Sequence, residues 1–352
     1  MTTMQKKYQI ATIANILLDM EFSVTDAFLQ KNALEKGVQS MINEEQHLTL
    51  LKVLEQEDYQ CLKAAGGACT NAVFAAASLG ATTFVNGRVG NDDAAKALIQ
   101  SLGDASIQTN KPELLTTEGT TGKCIVLVTP DAERTMLTYL GISSEIPLAT
   151  LQIESITASN YFLIEGFQCI PAQSRATNLK AIALAKAAGT KLVLSICDEA
   201  VPEYFFEPIH DFIQAAQPID LLFCNQNEAI ALTKADSLDE AFLKLQSLAN
   251  MFVLTMGSNG AMVWDGNMLY HIEGIPVTAV DTTGAGDIVV GVTLWALTQS
   301  FTLFEAASLA NRAAAQLVSQ AGPRLSIDQI RKVHDNYQDH VLQLKEPNHV
   351  VG

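Results

Sequence analysis

The sequence predicts an α/β fold with three layers, α/β/α, a mainly parallel central sheet and a small β-rich lid. From about residue 155 onward, short apolar runs alternate with helical stretches, which is the pattern of parallel strands joined by helices. Because such strands are apolar almost throughout, helices must cover both faces of the sheet. Two more polar excursions interrupt the first half of the chain, and we expect them to form the lid.

The individual elements follow from the same patterns. Strands are predicted at 8–18, 160–165, 191–196, 220–224, 251–255, 261–264 and 268–272, and helices at 172–188, 203–215, 226–233, 238–249, 286–299, 303–320 and 326–338. A helix rich in small residues follows two glycines within 66–80. Two apolar runs flank a Pro130-Asp131 turn within 123–141, and this predicts a β-hairpin.

These elements divide the chain into a large α/β domain and a lid. The large domain is predicted from residues 8–20, 61–110 and 142–340, the lid from 21–60 and 111–141, and a loose tail from 341–352. A chain of 352 residues with 48% hydrophobic and 17% charged residues suits a compact enzyme. The net charge of −16 argues against a nucleic-acid or anionic-membrane surface.

Cysteine usage and the N-terminal sequence indicate a cytoplasmic protein. The six cysteines include no C-x-x-C pair and no zinc-ligand spacing, so we expect free thiols in a reducing compartment. A signal peptide is the alternative interpretation of the apolar run IATIANILL. Asp19 and Glu21 follow that run without a small-residue cleavage site, which favours a buried strand.

The segment VDTTGAGDIVVGVTLWAL at 280–297 is the most informative for chemistry. Gly284 and Gly286 allow the backbone to approach a ligand closely, and the helix that follows has unpaired N–H groups that attract anions. Asp287 at this helix start is suited to remove a proton from a hydroxyl beside a bound phosphate. The alternative is that Asp287 only caps the helix. Walker, Rossmann, H-E-x-x-H and G-x-S-x-G motifs are absent from the sequence.

Together these motifs resemble those of the PfkB (ribokinase) family of carbohydrate and nucleoside kinases. DTTGAGD is similar to the family's C-terminal signature, and GGACTNAVFAAASLGATTFVNGRVGNDD is similar to its N-terminal one. Asn225-Gln226-Asn227-Glu228 matches N-x-x-E, and TMGSNGAMVW at 255–264 resembles T-x-G-x-x-G. DAFLQKNALEKGVQSMINEEQ and TGKCIVLVTPDAERTMLTYLG are most similar to adenosine-kinase-like members.

The resemblance implies a ribokinase-like fold whose large domain binds ATP with Mg²⁺. The γ-phosphate would pass to a hydroxymethyl group of a nucleoside, adenosine first, with Asp287 as base and the amides of Gly284, Ala285 and Gly286 as anion hole. A sugar kinase for ribose, fructose or a related ketose is the alternative within the family. A non-catalytic nucleotide-binding protein on the same fold is the third hypothesis. A monovalent cation such as K⁺ is a further candidate cofactor, and a monomer or homodimer is expected.

The resemblance also assigns residues to the two substrates. The acceptor substrate would contact Asp19, Asn15, Gly66, Gly67, Asn71 and Arg134. ATP and its metal would contact Asn225, Glu228, Thr255, Gly257, Gly260, Thr283 and Asn311, with Glu228 reaching Mg²⁺ through a bound water.

Each assignment has a structural alternative that the sequence leaves open. Asp19 would be a strand-end turn residue, Asn71 a buried polar group of a helix, and Arg134 a solvated loop residue beside Glu133. The pair Asn225 and Glu228 fits an ordinary helix cap.

The glycines 257 and 260 fit an ordinary hairpin. Phe22, Phe28, Met136 and Phe167 are candidates to stack on a base, which would favour a nucleoside over a sugar.

Overall fold

A computed structural model describes residues 6–131 and 133–345, and within them the strands form two β-sheets. The strands are β1 (Tyr8–Ile13), β2 (Leu17–Ser23), β3 (Gln39–Met41), β4 (Leu62–Gly66), β5 (Thr83–Asn86), β6 (Gln108–Thr109), β7 (Gly122–Val128), β8 (Arg134–Tyr139), β9 (Ser159–Glu165), β10 (Lys191–Ser195), β11 (Ile219–Asn225), β12 (Ala249–Thr255), β13 (Ala261–Trp264) and β14 (Leu269–Ile272). The α-helices are α1 (Asp26–Lys31), α2 (Glu44–Gln56), α3 (Ala68–Ser78), α4 (Asp93–Asp104), α5 (Ile153–Thr157), α6 (Ala172–Ala187), α7 (Ala200–Tyr204), α8 (Phe206–Ala216), α9 (Gln226–Thr233), α10 (Leu238–Leu248), α11 (Ala285–Thr298), α12 (Leu303–Val318) and α13 (Ile327–Lys345).

The large sheet has the strand order β14-β13-β12-β11-β10-β9-β1-β5-β6. Its strands pair in parallel from β12 to β6, whereas β13 pairs antiparallel with both β12 and β14. Along β9, Tyr161 and Leu163 point into one apolar core, whereas Phe162 and Ile164 point into the other. Helices α3, α11 and α12 contribute to the first core, and α6, α8 and α10 to the second. The predicted three-layer, mainly parallel fold is therefore confirmed.

The small sheet has the order β3-β8-β7-β2-β4 and provides the β-rich lid. The predicted hairpin forms, since β7 and β8 pair antiparallel. Strand β2 lies between β7, to which it is parallel, and β4, to which it is antiparallel. Helices α1 and α2 belong to the same excursion of the chain as β3.

One continuous strand was predicted over residues 8–18, and the structure has two. Strand β1 ends at Ile13 in the large sheet, and after Ala14–Ile16 the chain enters β2 in the small sheet. Residues 17–20 and 62–66, assigned to the large domain from the sequence, thus lie in the small sheet. The apolar run hides this change of sheet because both strands are buried and need apolar side chains.

Two helix predictions also need correction. The helix predicted at 203–215 is divided into α7 and α8 at Phe205, whose φ and ψ are −125° and 40°. Helix α13 continues to Lys345, so residues 341–345 are helical rather than part of a loose tail, and 346–352 lie outside the described residues. The first proline after this helix is Pro347, so nothing in the sequence stops it at 338. Over the described ranges, no helix combines the length and apolar character that crossing a bilayer requires.

Candidate active site

A cavity of about 490 Å³ lies where the lid meets the carboxyl edge of the parallel strands, the usual ligand site of such sheets. The predicted site residues that line it are Asn15, Asp19, Gly67, Asn71, Arg134, Asn225, Glu228, Thr255, Gly257, Thr283, Gly284, Ala285, Gly286 and Asp287. Three predicted residues, Gly66, Gly260 and Asn311, are not part of its lining. The tertiary structure thus gathers into one cavity motifs that lie far apart in the sequence.

The glycine loop before α11 forms an anion-binding cradle. Gly284 is the N-cap with φ of 77°, and a Cβ at this position would collide with the carbonyl of Pro323, so glycine is required. The amide of Ala285 donates to Thr282 O (3.2 Å). The amides of Gly284 and Gly286 have no hydrogen-bond partner within residues 6–131 and 133–345. Of the three amides predicted for the anion hole, Ala285 is thus engaged in a turn and two remain open.

Asp287 lies in the first turn of α11 and is held by a side chain of α3. Asn71 Nδ2 donates to Asp287 Oδ2 (2.8 Å), and Asn71 Oδ1 in turn accepts from Arg324 Nε (2.7 Å). Burial raises the pKa of Asp287 to about 6, while the Asn71 hydrogen bond and the charge of Arg324 lower it. Within the described residues, its carboxylate accepts from no backbone amide. Asp287 therefore does not cap the helix through a backbone hydrogen bond.

Asp19 faces the cavity from inside β2, so it is not a strand-end turn residue. Burial raises the pKa of Asp19 to about 7, Arg324 opposes this rise, and the nearby Asp287 adds to it. Gly66 on the neighbouring strand leaves room for this side chain, because a Cβ there would collide with the Asp19 carboxylate. Gly66 therefore shapes the site without lining it.

Arg134 lines the cavity and is not a solvated loop residue. Its side chain is 9% exposed, forms an ion pair with Asp281, and donates from Nη1 to Thr282 Oγ1 (2.7 Å). Asp281 also accepts from the amides of Thr283 (2.8 Å) and Gly322 (2.7 Å). Arg134 thus ties lid strand β8 to the loop that precedes α11.

Asn225 and Glu228 form a capping box at the start of α9. The Asn225 side chain accepts from the Glu228 amide, and the Glu228 carboxylate accepts from Asn225 N, each at 2.9 Å. Burial raises the pKa of Glu228 to about 8, with further increases from Asp198 and Asp287, while the Asn225 amide opposes the rise. The pair both caps the helix and presents the carboxyl group of Glu228 to the cavity.

Among the described residues, no group of three or more His, Cys, Asp or Glu side chains is placed to hold a metal ion. Glu228 and Asp198 nevertheless both line the cavity, and Asp198 lies near enough to raise the pKa of Glu228. Carboxylate oxygens are the protein ligands that Mg²⁺ prefers, and it commonly binds them through retained water. The donor set therefore fits the water-mediated contact predicted for Glu228.

The predicted nucleotide residues divide into two groups. Thr255 and Gly257 lie at the end of β12 and line the cavity. Gly260 packs against the carbonyl of Ile272, and Asn311 Nδ2 donates to Glu273 O (3.0 Å). The last two therefore hold the segment after β14 in place, and neither lines the cavity.

Two charged residues at the site were missed from the sequence. Glu165, at the end of β9, accepts from the amides of Asn15 (3.3 Å) and Cys69 (3.2 Å), and burial raises its pKa to about 8. An acidic residue ending a predicted buried strand was a usable signal. Arg324, in the loop before α13, offered none, because it belongs to no motif.

Of the four side chains proposed to stack on a base, two line the cavity and two are buried in the core. Met136 of the lid and Phe167 of the large domain line the cavity. Phe22 and Phe28 are each 2% exposed and belong to the apolar core, so these two predictions are wrong. Asn15 lines the cavity, but its Oδ1 already accepts from Gln168 Nε2 (2.7 Å).

The chain is similar in sequence to known kinases. A sequence profile described as pfkB family carbohydrate kinase matches residues 42–330. The chain is 27% identical over 282 residues to a ribokinase of Staphylococcus aureus (strain COL), covering 76% of this chain and 86% of that protein.

Solved structures show the same fold. An adenosine kinase from Sinorhizobium meliloti has a TM-score of 0.86 at 24% identity, with 94% of this chain and 99% of that chain covered. A putative ribokinase II from E. coli in complex with ATP and Mg²⁺ has a TM-score of 0.76 at 18% identity, with coverage of 94% and 99%. At these identities the likeness establishes the fold alone.

Proposed function

The chain belongs to the pfkB family of carbohydrate kinases, and we propose that it transfers the γ-phosphate of ATP to a hydroxymethyl group of a nucleoside, with adenosine as the first candidate. Membership of this family supports a phosphotransferase, and the resemblance inferred from the motifs is confirmed. The acceptor and the roles of individual residues belong to the proposal.

The observation that supports it is the position of Asp287 beside open backbone amides in the cavity. The amides of Gly284 and Gly286 are available to bind phosphate oxygens, while the carboxylate accepts the proton that leaves the attacking hydroxyl. Phosphoryl transfer needs little covalent chemistry from protein, so placing these groups in line with the acceptor is the main task. A base so placed contributes about 10²–10⁴-fold to the rate.

Mg²⁺ bound with ATP supplies positive charge that neutralises the phosphate oxygens. Glu228 would hold the ion through water, and Asn225 fixes the Glu228 carboxyl group by donating from Nδ2 to Oε1 (2.9 Å). Dependence on K⁺, a cytoplasmic location and a monomeric or homodimeric state remain predictions.

Support for a nucleoside comes from the lid side of the cavity. Leu17, Met136 and Leu140 give this wall an apolar character suited to a base, and Phe167 of the large domain adds to the apolar lining of the cavity. Asp19 faces the same space and would accept hydrogen bonds from ribose hydroxyls. The sugar-kinase alternative is favoured by the 27% identity to a ribokinase. A sugar kinase would use the same catalytic groups but would not need an apolar wall to bind a base.

The test is ATP turnover with a panel of adenosine, inosine, ribose and fructose, using the wild type and Asp287→Asn. We expect adenosine to be phosphorylated fastest and the variant to lose about 10²-fold or more in kcat, because the base is gone. Asp93→Asn is the matched control, since Asp93 also lies in the first turn of a helix but is exposed.

Near wild-type turnover by Asp287→Asn would remove the proposed mechanism. Preference for ribose or fructose would replace the nucleoside by a sugar. If no panel member is phosphorylated, the non-catalytic hypothesis takes its place.

A further inference from the structure

The guanidinium of Arg324 lies behind the proposed base and is linked to it through one side chain. We propose that Arg324 is a positioning residue that acts through Asn71 on the carboxylate of Asp287. This inference rests on the proposed function, because it concerns the base of that reaction. It assigns a role to a residue that belongs to none of the recognised motifs.

The hydrogen bonds run in one direction along this chain of three residues. Arg324 Nε donates to Asn71 Oδ1 (2.7 Å), and Asn71 Nδ2 donates to Asp287 Oδ2 (2.8 Å). A guanidinium can only donate, so it selects the oxygen of the amide and turns the nitrogen toward Asp287. Without Arg324, a rotated amide would present its oxygen to the carboxylate, and two acceptors would face each other.

Arg324 is itself fixed by two neighbouring helices. Its Nη1 donates to Ser101 Oγ of α4 (3.0 Å), and its guanidinium carbon lies 4.6 Å from the ring centroid of Phe74 on α3. Its Nη2 is buried and has no hydrogen-bond partner among the described residues, and within the same residues Arg324 forms no direct ion pair. The positive charge is therefore not cancelled at contact distance and acts on the carboxylates nearby.

Arg324 is a basic member of a cluster of titratable side chains around Asp287. The titratable side chains that face Asp287 are Asp19 of β2, Cys69 of α3, Glu165 of β9, Glu228 of α9 and Arg324 of the loop before α13. Burial lowers the pKa of Arg324 to about 10, so it stays charged at neutral pH. Its charge lowers the pKa of both Asp19 and Asp287 against the effect of burial.

The direction of the pH effect follows from this charge. Asp287 acts as a base only when ionised, and its pKa is about 6 with Arg324 present. Removing the positive charge raises that pKa, so less carboxylate is present near neutral pH and activity returns as the pH rises. Loss of a structural contact alone would lower activity equally at every pH.

The kinetic test measures kcat and KM of Arg324→Gln and Arg324→Lys between pH 5 and 9. For Arg324→Gln we expect the acidic limb of the pH profile of kcat to move up by about one pH unit. This shift makes kcat about fivefold lower at pH 6, with recovery toward pH 9. Arg324→Lys keeps the charge but loses the guanidinium geometry, so its limb stays near the wild-type position while kcat falls.

Arg331→Gln is the matched control. Arg331 Nε also donates to α3, at Ser78 O (2.9 Å), but at the opposite end of that helix from Asp287. We expect its pH profile to match the wild type. The proposal is overturned if the acidic limb of the kcat profile moves equally in Arg331→Gln. It is also overturned if that limb stays in place in Arg324→Gln. If the Gln variant does not fold, a displaced limb in Arg324→Lys overturns it and an unchanged limb supports it.

A second readout does not depend on turnover. In protein labelled with [4-¹³C]aspartate, the Asp287 carboxyl resonance is assigned by its loss in Asp287→Asn and titrated without nucleotide or acceptor. We expect a higher midpoint in Arg324→Gln than in the wild type, and equal midpoints contradict the inference. If the wild type phosphorylates no acceptor, the proposed function fails while this titration still decides the role of Arg324.

Discussion

Burial disfavours the charged form of individual acidic side chains at the cavity. Burial raises the pKa of Glu165 and of Glu228 to about 8, from an ordinary value of 4.5. A folded protein that binds these protons more tightly than the unfolded chain is favoured at low pH. Their stabilising contribution is therefore fully present below about pH 4.5 and is lost as the pH rises toward 8. Each unit of such a shift corresponds to about 1.4 kcal/mol.

Glu165→Gln tests this at a residue that is fully buried. Because Gln does not ionise, we expect the fall in Tm between pH 5 and pH 8 to be smaller than in the wild type by a few degrees. Thermal unfolding followed by circular dichroism at both pH values is the measurement. Glu118→Gln, an exposed loop substitution, should leave the pH slope unchanged. An equal slope in Glu165→Gln and the wild type would contradict the assigned pKa.

At the level of elements, the lid strand β8 is joined to the glycine loop by the Arg134–Asp281 ion pair. Both side chains are buried, at 9% and 4% exposed, so removing one leaves an unpaired charge. We expect Arg134→Gln to lower the unfolding free energy of the ligand-free enzyme by about 3–5 kcal/mol. Denaturant unfolding is the measurement. Unchanged stability would mean that this pair does not hold the lid.

Two controls accompany the Arg134 prediction. In Arg134→Gln/Asp281→Asn the loss should be smaller than the sum of the single losses, because neither charge is left unpaired. Lys36→Gln removes an exposed lid cation that pairs with Asp26 and Asp131. Since exposed ion pairs contribute little, this variant should unfold close to the wild type.

At the scale of the whole molecule, the cavity is bordered by both sheets, so a ligand that fills it contacts the lid and the large domain together. Adenosine at about 100 times its Kd should stabilise the folded protein by about 2.7 kcal/mol and raise Tm by several degrees. Ribose at the same concentration should give a smaller shift, because it leaves the apolar wall unfilled. Thermal unfolding with each compound is the measurement, and a larger shift with ribose would favour the sugar kinase.

Much of the fold could be predicted from local patterns. The alternation of strands and helices after residue 155, the β7–β8 hairpin and the glycine loop before α11 all follow from periodicity and turn residues. The division of residues 8–18 between two sheets could not be predicted, because both strands need the same apolar side chains. At the site, the sequence indicated Asp287, Asp19 and Asn71 through their motifs, and it missed Glu165 and Arg324.

The sequence by itself determined the α/β class, the family and the carboxylate at the start of a glycine-capped helix. Only the tertiary structure decided what surrounds that carboxylate. Asn71 is 216 residues from Asp287 and 253 from Arg324 along the chain, yet their side chains share hydrogen bonds. Periodicity and turn chemistry act over a few residues, whereas the charge and burial that set the state of Asp287 come from strands and helices brought together by folding.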